Sequence, residues 1–147
     1  MKITEALLAE HVVFHNLFDH VERVTPRLKT LAEVKSVAAL LAAVSRAHSV
    51  VEDELLIEPL EHCFEQIGQR DTFHQEHHDI EAHLALAQSA RRLNEARRHL
   101  LVAVVSSRKH FDKEERIVFP LAERVLKSKT MASLGRKWME QRKALPG

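Results

Sequence analysis

Twice in this chain a histidine stands four residues before a glutamate and ten or eleven before a proline. His48 precedes Glu52, a Leu-rich stretch and Pro59; His110 precedes Glu114, a similar stretch and Pro120. On a helix of about 3.6 residues per turn, residues four apart lie within about 40° of each other. Each pair therefore aims an imidazole and a carboxylate at one point. That donor set suits iron and other first-row metals. A Glu-His dipeptide lies upstream of each pair, Glu10-His11 before the first and Glu76-His77 before the second. The doubled pattern describes a metal site built between four helices.

The elements that must carry these residues follow from periodicity and punctuation. Leu7, Leu8, Phe14, Phe18 and Val21 recur at helical spacing, which predicts a helix over 3–23 that ends at Pro26. Thr30-Leu31-Ala32-Glu33 reads as a capping box opening a second helix, rich in Ala, Leu and Val and expected to be well buried. Pro59 and Gly68 bracket a connection with a short helical piece at 61–66. Asp71 is placed to cap a third helix running to Ala90. A fourth helix is expected over 94–127, bent near Pro120, and Thr130 opens a short helix through Trp138. No strand pattern is present. The expected fold is all-α, an up-down-up-down four-helix bundle over 1–127 with a short basic C-terminal helix or tail over 128–147.

In an antiparallel pair, His11 and His48 fall level with each other, and so do His77 and His110, so the four imidazoles can converge near one end. Helical phase sorts the remaining histidines at about 100° per residue. His11 lies within the stripe of Leu7, Phe14 and Phe18, and His77 within that of Phe73, Ile80 and Leu84. His15 lies about 40° further round and is a secondary candidate. His74 and His78, four apart on either side of the stripe, form an alternative register. His83 sits on its edge. His20, His62 and His99 have no partner at ligand spacing and are expected in solvent. A lone histidine on an apolar face is usually a hydrogen-bonded core residue, and a lone glutamate a surface charge. Neither reading explains why His precedes the acid by four residues both times.

Composition narrows the function. The chain has 147 residues, a formal net charge of +1, 11 histidines and one cysteine. The small net charge gives no general argument for nucleic acid. Cys63 alone forms no intrachain disulfide and suits a reducing compartment. The N-terminus lacks signal-peptide character, no uncharged apolar run reaches spanning length, and a cytoplasmic protein is expected. Glu-x-x-His and His-Glu-x-x-His are both absent, which disfavours ferritin-type sites and zinc peptidases of that type. No Gly-rich phosphate loop occurs. Residues 127–147 carry six basic residues against Glu140 alone. That tail suits packing on the bundle or a frayed terminus, or else docking to an acidic protein partner, a membrane surface or nucleic acid.

Over residues 3–126 the chain resembles the hemerythrin-like, or HHE cation-binding, family. The likeness lies in Glu10-His11, His48 with Glu52, Glu76-His77, His110 with Glu114, and the stretches Glu52 to Leu60 and Glu114 to Leu121. The resemblance implies a four-helix bundle holding two non-heme irons, bridged by carboxylates and an oxo or hydroxo group. It implies terminal imidazoles from His11, His48, His77 and His110, with Glu52 and Glu114 bridging. The oxygen-carrying members have a further histidine four residues before the third-helix ligand; this chain has Phe73 there. Three functions stand open: a module binding dioxygen, peroxide or nitric oxide for sensing or iron homeostasis; a di-iron enzyme acting on peroxide or nitric oxide; and a metal-free helical scaffold.

Overall fold

The computed structural model describes residues 1–144, and every regular element among them is helical. Helix α1 spans Ile3–Val24 and opens where the Lys2 amide donates to the Glu5 carboxylate at 2.9 Å. A tight turn, Thr25–Arg27, carries Pro26 and ends it. Helix α2 spans Leu31–Glu52. The Thr30 hydroxyl oxygen accepts from the Glu33 amide at 3.2 Å, as a capping residue should. The reciprocal half of the capping box is replaced: the Thr30 hydroxyl donates to the Glu33 carboxylate at 2.7 Å.

Pro59 does not break the chain's second rod, contrary to the sequence expectation. A π turn, Asp53–Ile57, leads directly into α3, Glu58–Gln66. In a regular helix the proline ring would press on the carbonyl four residues back, and its missing N–H would leave that carbonyl unpaired. Here the Glu58 amide donates five residues back, to the Asp53 carbonyl. The widened turn carries the helix past the proline. The same device recurs. Helix α5, Leu93–Lys113, passes through the π turn Glu114–Val118 into α6, Phe119–Val125, with Pro120 just inside α6. Between these rods lies α4, Arg70–Ser89, entered through Gly68 at φ +69°, a left-handed conformation that glycine adopts without strain. Asp71 lies within the first turn of α4 and makes no cap. Helix α7, Ser128–Lys143, is longer than the sequence suggested.

The core falls into two apolar clusters. One holds Phe14, Phe18, Leu41, Ile80, Leu84 and Val104; the other holds Leu7, Leu55, Leu60, Phe73, Val118 and Met131. On each rod the histidines and glutamates of the repeated pattern stand between the residues of these two clusters. Not every expected apolar contact forms. Leu8, Leu40 and Val50 are exposed, so α2 buries one face, not its whole surface. By length and composition alone the helix Leu31–Gln66 is apolar enough to cross a membrane, a test that core helices also pass, although Glu33, Lys35, Arg46 and Glu52 interrupt its apolar run. Its buried face carries His48 and Glu52.

Candidate metal centre

Five ionisable side chains meet in the gap between the clusters with almost no solvent contact. His11, Glu52 and Glu114 are 0% exposed, and His48 and His110 are 2% exposed. Burying so many charged or polar groups is costly unless something satisfies them. Each helical pair closes as its spacing requires: His48 Nε2 lies 3.1 Å from Glu52 Oε2, and His110 Nε2 lies 3.1 Å from Glu114 Oε1. His11 Nε2 reaches across to Glu52 at 3.5 Å and to Glu114 at 3.9 Å. His77 Nε2 stands 3.8 Å from Glu52 Oε1.

These atoms form two donor groups of the kind that can hold a metal ion. One is His11, His48 and Glu52; the other is Glu52, His77, His110 and Glu114. Glu52 belongs to both, offering Oε2 to the first pair of imidazoles and Oε1 to His77. Donor atoms near the centre also lack protein partners. Both nitrogens of His11, Nε2 of His110, Oε1 of Glu52 and both oxygens of Glu114 are buried without a hydrogen bond among the described residues. Native interiors rarely leave so many polar atoms unpaired. A pair of cations at this position would satisfy all of these except His11 Nδ1, which faces Glu115 at 3.9 Å instead, so the residues present fit a metal centre.

A second set of carboxylates orients the imidazoles. His48 Nδ1 donates to Glu10 at 2.8 Å, and His110 Nδ1 donates to Glu76 at 2.7 Å. This outer bond turns each Nε2 lone pair inward, as in metal sites generally. Glu76 is also held by Lys113 at 2.9 Å. Glu10 takes Trp138 Nε1 at 2.7 Å, Arg142 Nε at 2.8 Å and Arg142 Nη2 at 2.6 Å. The sequence displayed both Glu-His dipeptides, but assigned no role to their acids. Their recurrence one residue before an inward-facing histidine was the signal available.

Without cations, protons perform the charge balancing. Burial opposes ionisation of Glu52, yet the neighbouring His48 charge, with the His48 hydrogen bond and the closeness of Glu114 and His11, holds its carboxyl well below the usual range. Burial and then the Glu52 charge push Glu114 well above it. The two carboxyls thus keep one proton, on Glu114. Burial would lower His48, but Glu52 and Glu10 on either side raise it to about 10. Burial lowers His11, and burial together with the His110 charge lowers His77 to about 4. Burial resists ionisation of Glu10, and its bonds to His48, Arg142 and Trp138 overcome this and set it at about 2.

The secondary candidates stand outside both donor groups. His15 is half-exposed at the rim and bonds Glu115 at 3.2 Å. His74 and His78 are exposed, and His74 lies 3.4 Å from Glu61, so the alternative register has no inward geometry. His99, expected in solvent, is half-buried with its Nδ1 3.2 Å from His83 Nδ1. Phe73 is buried with its ring centroid 4.7 Å from that of His110, occupying space where a further imidazole would stand. A cavity of about 300 Å³ between α2, α4 and α5 reaches His48, His77, His110 and Phe111. Compared with family models, with curated proteins and with solved structures, the chain finds no match.

Proposed function

We propose that the chain is a hemerythrin-like protein: an up-down-up-down four-helix bundle that holds two non-heme irons and binds dioxygen or a related small molecule. The observation that carries this reading is the membership of Glu52 in both donor groups. A carboxylate shared between two clusters of buried imidazoles is the arrangement a bridged metal pair requires. The bundle sense is supported by the order of core residues along the rods. Successive rods meet the two apolar clusters in opposite order, Leu7 before Phe18, then Leu41 before Leu55, then Phe73 before Leu84, then Val104 before Val118.

In this reading His11, His48 and Glu52 would hold one ion and His77, His110, Glu52 and Glu114 the other, so Glu114, expected to bridge alongside Glu52, falls in the second donor group alone. A bound iron pair supplies a Lewis-acidic, redox-active centre for dioxygen, peroxide or nitric oxide. The chain's own contribution is to fix imidazole direction through Glu10 and Glu76, to offset the cationic charge with Glu52 and Glu114, and to exclude water with Phe14, Phe73 and Phe111. The cavity favours turnover as a second reading, an enzyme acting on peroxide or nitric oxide. At about 300 Å³ it is roomy beside the roughly 30 Å³ that one water molecule occupies in the liquid.

Metal analysis of freshly purified protein tests the proposal. Two irons per chain, lost in Glu52→Ala, are expected. A single ion or zinc would overturn the di-iron reading, and stably folded protein unable to take up iron would leave a helical scaffold. Steady peroxide consumption by the iron-loaded protein, lost in Glu114→Ala, would select the enzyme; ligand-induced spectral change without turnover would select the binder.

A further inference from the structure

Helix α7 is joined to one half of the metal centre and not to the other. Its residues Met131 and Leu134 are buried in the apolar cluster that holds Leu7, Leu55 and Phe73. Gly135 lies against the backbone of Met1 and Lys2, where a methyl group would collide with the Met1 carbonyl. This close docking brings Trp138 and Arg142 to Glu10. Every strong acceptor direction of that carboxylate is then in use: Oε1 takes His48 Nδ1 and Arg142 Nη2, while Oε2 takes Trp138 Nε1 and Arg142 Nε. Arg142 also donates to the Ala47 carbonyl at 3.4 Å, one residue before His48. The matching acid on the other side, Glu76, is held by Lys113 of α5 and has no contact of this kind with α7.

We infer that Trp138 and Arg142 are positioning residues for one metal position: they fix Glu10, and through it aim His48 at the first donor group. The two positions then differ in what supports them. The one at His11 and His48 requires α7 in place, and the one at His77 and His110 does not. The inference rests on the metal reading above for its ion-binding consequence, and on the hydrogen-bonded chain from α7 to His48 for its structural part. A carboxylate loosened by loss of its outer bonds costs a metal site about 10- to 100-fold in affinity.

Anaerobic titration of the full-length chain with ferrous iron provides the test. Arg142→Met keeps the aliphatic stem, and Trp138→Phe keeps the ring packing; each removes donors to Glu10. Gly135→Ala displaces α7 without altering any group that touches Glu10. All three are expected to weaken one equivalent of iron about 10-fold or more and leave the other near wild type, while Lys113→Met spares the equivalent they affect. Two equivalents bound by Arg142→Met and Trp138→Phe with wild-type affinity would overturn the inference. A wild-type chain that binds no iron would instead sink the metal reading. The structural part is then decided in the metal-free protein by nuclear magnetic resonance. The His48 Nδ1 proton signal should move in Arg142→Met and Trp138→Phe and stay in Lys113→Met; an unmoved signal in the first two would overturn it.

Discussion

The imidazole of His11 lies flat on the ring of Phe111, with centroids 3.8 Å apart and planes 4° from parallel. Phe111 also meets Phe14 edge-on and lies 5.3 Å from His48, so one side chain supports two candidate ligands. Phe111→Ala should cost about 3–5 kcal/mol of stability, because it removes a buried ring and leaves a cavity beside His11. Phe111→Leu should recover most of that loss. Denaturant unfolding in the presence of chelator measures both; equal midpoints for Phe111→Ala and wild type would refute the packing role.

The two donor groups predict unequal effects for their members. Glu52→Ala removes a donor from both groups, whereas His11→Ala removes one from the first group alone. Loss of both ions is expected in Glu52→Ala and retention of one in His11→Ala. Metal analysis after gel filtration distinguishes them. Identical stoichiometry in the two variants would argue against a shared carboxylate.

Glu114 is held protonated by its burial and by the charge of Glu52. Its raised folded-state value means that stability is complete below the unfolded value of 4.5 and is lost as pH rises through the folded one. Glu114→Gln mimics the protonated carboxyl and escapes that loss. The metal-free variant should gain about 1–2 kcal/mol near pH 8 and little near pH 4, while losing metal affinity. Thermal unfolding of the metal-free proteins at the two pH values gives the answer. A variant less stable than wild type at the higher pH would contradict the assignment.

Acid should unfold the metal-free protein earlier than the loaded one. His77 is lowered to about 4 from 6.5 by burial and by the His110 charge, so the unfolded chain takes up the proton first. The stability it contributes is complete above 6.5 and declines as pH falls toward 4, by about 3 kcal/mol. Glu10 and Glu76, each held near 2, add a further loss as pH falls from 4.5 through about 2. His48 acts in the other direction: raised to about 10, its contribution is full below 6.5 and vanishes as pH rises through 10. Because Glu114 loses stability over the same range, the His77 contribution is read as the difference in denaturant midpoint between wild type and His77→Gln in chelator. A difference that stays constant between about pH 4 and about pH 7 would refute the His77 assignment.

Much of the centre was legible because helical geometry is local. A histidine and a glutamate four apart meet wherever the helix forms, and the apolar neighbours of His11 and His77 indicated their direction. The π turns were not legible, since proline after a helical run reads as a stop unless the backbone widens before it. Contacts that join distant segments were hidden for another reason. Nothing in the spacing of Trp138 and Arg142 reveals that they grip Glu10, because that meeting depends on how α7 docks. The pairing of His83 with His99 was missed likewise: each looked solitary on its own helix, and only the packing of α4 on α5 brings them together.

The turn at Gly68 divides the donors unevenly. Before it the chain supplies His11, His48 and Glu52, a complete first group; after it come His77, His110 and Glu114, which lack their fourth member until Glu52 arrives from the other half. The second segment is thus a borrower. An ion seated there would act as a rivet through the midpoint of the chain, adding to the packing and to bonds such as Arg142–Glu10 and Arg108–Glu22 that already join the two halves. Assembly of the halves and filling of that seat would be one event, while the first seat draws its own support from α7 and so from the second half in turn.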